Sequence, residues 1–161
     1  MAQFECHITM ARPVSEVFAL LLDPANTHYF DPGVKSVQQI TPGTIGVGTS
    51  FRFRERIPPF GRYGLASATY TAIEPNRQIV FDFEVGPVRG SGSFLFDQEH
   101  TGTRLTFRGR MRPPWPLKPL APMLARQGQR TWQTRLEWIK DWMEAGAPRD
   151  MPAAQAERSR S

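Results

Sequence analysis

The chain has 161 residues and a formal charge of +5, with 40% hydrophobic and 22% charged residues; the length fits one domain whose core needs no staples, and the composition excludes a disordered chain. Its single cysteine, Cys6, excludes an intrachain disulfide and a cysteine-only zinc site. The 17 arginines among its 20 basic residues are spread along the chain rather than blocked together, which fits a GC-rich bacterial genome better than a nucleic-acid reader.

Met1-Ala2-Gln3-Phe4-Glu5 lacks the basic start and apolar stretch of a signal peptide, so a cytoplasmic location is expected. No apolar run approaches the roughly 18 residues of a membrane-spanning helix, so no stable membrane insertion is expected. Phe4, Cys6, Ile8 and Met10 alternate with polar residues and predict a first strand. Pro13 and Glu16 open a helix with Val17, Phe18, Leu20, Leu21 and Leu22 on its apolar side. Asp23-Pro24 ends it, because a residue before proline disfavours the helical region. Residues 24–31 predict a second, short helix, stopped by Pro32-Gly33. From Val34 onward the chain reads as strands over 34–40, 47–56, 63–73, 77–85, 88–98 and 103–112. Prolines 113, 114, 116, 119 and 122 delay a final helix, expected from near Pro119 to Gly146. Leu120, Leu124, Trp132, Leu136, Ile139 and Met143 form its apolar stripe, widened by Met123, Trp138 and Trp142. Residues 1–146 thus read as one domain, and 147–161, without periodic apolar residues, as a disordered tail.

Two turns set the strand register. Gly86-Pro87 suits a two-residue hairpin loop with glycine first, which pairs Val85 with Val88, Phe83 with Gly90, Phe81 with Gly92 and Ile79 with Phe94. A turn at His100-Thr101 pairs Phe96 with Leu105, Phe94 with Phe107 and Gly92 with Gly109. In both hairpins the shared face is apolar, as paired residues require. The same alternation turns Phe51, Phe53 and Glu55 inward with Ala66, Ala68, Tyr70 and Ala72. It turns Arg52, Arg54, Arg56, Arg108 and Arg110 outward, where Asp82 and Glu84 are the expected partners. The small inward residues, with Gly128 of the final helix, either leave a cavity or let the sheet bend while phenylalanines fill the gaps.

The order of elements, together with Ala11-Arg12-Pro13-Val14-Ser15-Glu16-Val17-Phe18, Asp31-Pro32-Gly33-Val34, Gly46-Val47-Gly48-Thr49, Ile73-Glu74-Pro75-Asn76-Arg77 and Gly102-Thr103-Arg104-Leu105, resembles the SRPBCC or START-like helix-grip superfamily and its polyketide cyclase/dehydrase group. The resemblance covers roughly residues 3 to 145. It implies an α+β fold in which a seven-stranded antiparallel sheet wraps a long C-terminal helix, with two short helices after the first strand and a hydrophobic cavity between sheet and helix. It also implies a small hydrophobic ligand such as a lipid, polyketide or isoprenoid, carried or sequestered there. No cofactor, metal or nucleic acid is expected.

The expected cavity lining is Phe53, Tyr70, Phe81, Phe83, Phe94, Phe107, Met123, Gly128 and Trp132. Glu55 is an inward carboxylate after two phenylalanines; it is costly if buried alone, and either reaches water at the rim or handles protons. Tyr70 either donates to a ligand carbonyl or to an internal partner. Were the protein a polyketide cyclase or dehydratase, Glu55 and Tyr70 would be its proton-handling candidates; a protein-interaction module is the third reading. His28 near Asp31 is the one histidine placed near an opening, and Arg135 and Gln127 lie at the edge of the helix stripe, solvated, salt-bridged or facing a ligand anion.

Overall fold

The computed structural model describes residues 2–57 and 62–146. Its elements are β1 (Ala2–Met10), α1 (Val14–Leu22), a 3-10 turn at Pro24–Asn26, α2 (Thr27–Phe30), β2 (Val34–Gln39), β3 (Ser50–Ile57), β4 (Arg62–Glu74), β5 (Gln78–Val85), β6 (Val88–Glu99), β7 (Gly102–Arg112), a 3-10 segment at Trp115–Leu120 and α3 (Ala121–Glu144). The strands form one antiparallel sheet in the order β1-β7-β6-β5-β4-β3-β2. This is the α+β helix-grip architecture expected from the sequence. The expected tail and the Pro58–Gly61 part of the β3–β4 connection lie outside the described residues.

Both hairpin registers match the turn chemistry. Val85 pairs Val88 and Phe81 pairs Gly92; Phe94 pairs Phe107 and Gly92 pairs Gly109. Gly86 holds a φ of 58° in the β5–β6 turn, a conformation that glycine adopts without steric cost. Two spans differ from expectation. β3 begins at Ser50, not 47, because Gly46–Thr49 folds as a turn closed by Thr49 N–H donating to the Gly46 carbonyl. The final α-helix begins at Ala121, preceded by the 3-10 segment, since the run of prolines removes the donors an α-helix would use. A bulge between Tyr70 and Ala72 corrects one face: Ala72 pairs Val80 on the outer side, and Ile73 takes the inward place opposite Ile79. One extra residue exchanges the faces of all that follow it.

The sheet has two unlike ends. At one, the β4–β5 and β6–β7 turns meet the end of β1. Here α1 buries Val17, Phe18, Leu20 and Leu21, with Phe18 edge-on to Phe96 at 5.3 Å. The Thr103 hydroxyl donates to the Arg12 carbonyl at 2.8 Å. Leu136, Ile139 and Met143 of α3 close this end. At the other, the facing ends of β3 and β4 and the β5–β6 turn meet the end of β7, and the inward residues Phe53, Phe83, Val85 and Met111 are only half-buried.

α3 runs from the open end to the closed one along β1, with β7 and α2 as its lesser neighbours. Its close seat on β1 depends on two glycines. The Phe4 ring fills the space where a side chain at Gly109 or Gly128 would stand; a Cβ on Gly128 would lie 2.5 Å from Phe4 Cε1. Phe81 occupies the space above Gly92 in the same way, at 2.5 Å from such a Cβ. Of the two readings of the small inward residues, rings filling the gaps describes these positions.

Gly128→Ala is expected to destabilise the protein by up to about 2 kcal/mol, because overpacking against Phe4 outweighs the roughly 1 kcal/mol that alanine gains over glycine in a helix. In a Phe4→Ala background the same change is expected to stabilise. Urea denaturation of the four variants reads the sign, and an effect of one sign in both backgrounds contradicts the packing described.

Candidate functional site

Trp132 and Arg135, one turn apart on α3, share the face turned toward the sheet. Trp132 stacks on Phe107 with centroids 3.6 Å apart and planes at 14°, and meets Phe94 edge-on at 5.5 Å. Phe81 joins the cluster through Phe94 and Phe107. The Arg135 guanidinium carbon lies 4.8 Å from the Trp132 ring centre, within the range of a cation–π contact.

Arg135 reaches two carboxylates from distant parts of the chain. Its Nη2 donates to Glu55 Oε2 at 3.0 Å, and its Nε lies 2.8 Å from Asp31 Oδ2. The three side chains are 17%, 14% and 3% exposed for Arg135, Glu55 and Asp31. Asp31 follows α2 and is fixed by its own backbone: Oδ1 accepts from Gly33 N–H at 2.8 Å, and its N–H donates to the Thr27 carbonyl. Among the described residues no hydrogen bond is directed at Oδ2, although it is ion-paired. Two carboxylates share one guanidinium, so the cluster carries a formal charge of −1 and has acceptor capacity to spare.

Glu55 therefore meets the Arg135 guanidinium rather than open water at the rim. Its strand neighbour Phe53 is half-buried on the same inward face. His28 is exposed, its ring tilted against Tyr29 with centroids 4.1 Å apart, and Asp31 is engaged with Arg135 and Gly33 instead. Of the outer arginines expected to pair Asp82 and Glu84, Arg108 pairs Glu5 instead at 2.8 Å, and Glu84 is taken by Arg89 at 3.2 Å. On that outer face a depression of about 450 Å³ is lined by Ser67, Thr69, Asp82, Glu84, Ser91 and Arg110, among others.

The remaining expected lining residues are placed as follows. Phe81, Phe94 and Phe107 are buried in the inner wall, and Phe83 is half-buried toward the open end. Met123 is 58% exposed on the first turn of α3. Gly128 contacts Phe4. Tyr70 is buried beside Phe51, and its hydroxyl donates to the Leu22 carbonyl at 2.7 Å. Burial, with the Asp23 charge as a lesser cause, pushes the Tyr70 phenol far above its ordinary range, which keeps it a neutral donor to the end of α1. Burial also pushes the Cys6 thiol up to about 11, with Glu5 adding to the effect. Among the described residues no group of three or more His, Cys, Asp or Glu could hold a metal ion.

With this geometry in hand, the comparisons are specific about family. The profile of the family described as "Polyketide cyclase / dehydrase and lipid transport" matches residues 1–144. The chain belongs to this family. A search of curated proteins finds no match. Among solved structures, the fold is similar to the di-domain ARO/CYC BexL from the BE-7585A biosynthetic pathway, at TM-score 0.75 and 20% identity over 92% of this chain and 48% of that one. It is similar to the di-domain ARO/CYC StfQ from the steffimycin biosynthetic pathway, at TM-score 0.73 and 16% identity over 91% of this chain and 51% of that one. A protein of Thermus thermophilus matches at TM-score 0.70 and 16% identity over 91% of this chain and 99% of that one. The chain thus spans about half the length of the two di-domain proteins. Identities this low show the fold.

Two outcomes follow for the family member described here. Arg135→Met leaves two buried carboxylates without their cation and is expected to cost about 3 kcal/mol or more; adding Asp31→Asn and Glu55→Gln to it is expected to restore part of that loss in chemical denaturation. The thiol supplies a pH signature. A thiol at 9.0 when unfolded and about 11 when folded contributes stability that is whole below pH 9 and is lost as pH rises through 11. Cys6→Ala is expected to remove that alkaline component, read as urea midpoints between the two pH values.

Proposed function

We propose that the protein binds a small hydrophobic ligand, of the lipid, polyketide or isoprenoid kind, between α3 and the inner face of β3–β6, and carries or sequesters it. The observation that supports this reading most is the unequal finish of the inner face. Aromatic side chains run from the buried wall at Phe94 and Phe107 to half-buried Phe53, Phe83 and Trp132, and the ion-paired Arg135–Glu55 couple stands among them. Apolar burial supplies affinity and a few convergent polar groups supply orientation. The family's description, which includes lipid transport, agrees with this reading. Glu55 Oε2 and Arg135 Nη2 satisfy one another, so the couple is suited to hold a ligand hydroxyl or carbonyl without exchanging a proton.

A second reading, an enzyme of the polyketide cyclase or dehydratase kind, is favoured by the family's description and by the presence of Glu55 on the inner face. The two are separated by Glu55→Gln, which keeps size and removes the basic carboxylate. For a carrier, affinity is expected to change by no more than about 1–3 kcal/mol, the scale of a buried polar contact. For an enzyme, turnover is expected to fall about 10²-fold or more. Binding, by quenching of tryptophan emission and by native mass spectrometry, and product formation are measured on one panel of poly-β-ketone and lipid compounds. Turnover by the wild type that collapses in Glu55→Gln with binding retained would overturn the carrier reading.

A further inference from the structure

The open end of the sheet differs from the rest of the surface in charge as well as in packing. From His100 to Leu136 the chain contains no acidic residue and eight basic ones. Arg112, Lys118 and Arg126 of this stretch lie on or beside the open end, where β7 runs into the 3-10 segment and α3; all three are exposed, and among the described residues none has an ion pair. Of the carboxylates nearest this end, Glu84 is paired by Arg89, and Asp31 and Glu55 by Arg135; Asp82 lies farther along β5 on the outer face, in the depression that Arg112 also lines. At the closed end the balance reverses, with Glu74, Asp97, Glu99 and Glu144 around the turns and the last turn of α3.

The same basic end displays large apolar side chains. Trp115 is 80% exposed at the start of the 3-10 segment, and Leu120 and Met123, three residues apart at the start of α3, are 40% and 58% exposed. Four prolines, at 113, 114, 116 and 119, stiffen the segment that presents them. Exposed tryptophan with unpaired cations, on an end where basic residues outnumber free carboxylates, is the pattern that seats a protein at the headgroup level of a bilayer. No described helix is long and apolar enough to cross one, so the contact is interfacial.

We infer that the Trp115–Met123 segment is a docking tip for an anionic phospholipid surface, with Trp115, Leu120 and Met123 entering the interface and Arg112, Lys118 and Arg126 meeting lipid phosphates. A second copy of the chain is the poorer occupant, since it would set one unpaired basic end against another. Nucleic acid is poorer too: besides Trp115 the exposed ring at this end is Tyr63, already met by Lys35 and Arg56, so no succession of free stacking platforms is offered. The tip does not depend on the carrier function for its argument, and its test reads vesicle binding with no ligand present. If both hold, the half-buried open end of the inner face lies against the membrane when the protein is docked.

The experiment is co-sedimentation of the full chain with vesicles of phosphatidylcholine alone and of phosphatidylcholine mixed with phosphatidylglycerol, at low and high salt. Binding is expected only to the anionic vesicles and is expected to weaken with salt. Arg112→Gln and Lys118→Gln are each expected to weaken it about five-fold, the share of one basic residue near a charged bilayer. Trp115→Ala is expected to weaken it several-fold and Trp115→Phe to retain most of it. The emission of the wild type should shift to the blue on adding anionic vesicles, and that shift should be lost in Trp115→Phe. All these positions are exposed, and circular dichroism checks that the variants remain folded. Equal binding to both vesicle types, no binding, or binding unmoved by the Trp115 and Lys118 variants overturns the inference. So does light scattering that shows a dimer which Trp115→Ala turns into a monomer, or tighter binding to a nucleic acid than to the anionic vesicles.

Discussion

A single helix about 10 Å across cannot cover the inner face of seven strands spaced about 4.8 Å apart, and the layout of this protein follows from how that mismatch is met. α3 seats itself on β1, where glycines at 109 and 128 let it approach over the ring of Phe4. α1 covers the closed end of the same inner face, with Phe18 on Phe96. What remains is the inner face of β3–β6 toward the open end, roofed by aromatic side chains rather than by backbone. The half-burial of Phe53, Phe83 and Val85 is thus a consequence of geometry, and not a failure of the sequence to supply apolar residues.

The charged cluster answers a second demand of that geometry. α3 lies chiefly along β1, yet β3 and the residue after α2, on the far side of the sheet, carry the carboxylates Glu55 and Asp31. Arg135 reaches across to both, tying the first third of the chain and the β2–β3 side of the sheet to the helix. A buried pair of this kind contributes little net stability against an apolar replacement, but it is costly to break. Its effect is to fix the helix at one rotation, with Trp132 flat on Phe107 and a polar group at a defined place in an apolar wall.

Much of this was legible in the sequence, and what was not has particular causes. Strand order and register could be read because Gly86-Pro87 and His100-Thr101 are short turns, and a short turn leaves the strands few ways to pair. The Tyr70–Ala72 bulge could not, since an extra residue in a long strand has no distinctive composition; with it went the face assigned to Ala72. Glu55 was recognisable as an anomaly by alternation alone, and Arg135 as an edge residue of the stripe. That they meet, 80 positions apart, depends on the angle at which α3 crosses the sheet, which periodicity does not encode. Phe4 filling the space at Gly109 and Gly128 was hidden for the same reason. The outer arginines pair with Glu5 and Glu84 across strands, choices that follow from side-chain reach as much as from register.

The packing of Phe4 also bears on how the chain can fold as it is made. β1 leaves the ribosome before the other strands of its sheet, but its strand partner is β7 and its covering helix is α3, both more than ninety residues later in the sequence. Until they emerge, Phe4, Cys6, Ile8 and Met10 have no native surface to meet. Contacts of such long range are slow to form and leave apolar strands exposed meanwhile. Closure of the sheet at β1 is therefore a late event, and the nascent chain spends most of its synthesis with one strand waiting, a state in which a holding chaperone has a defined segment to protect.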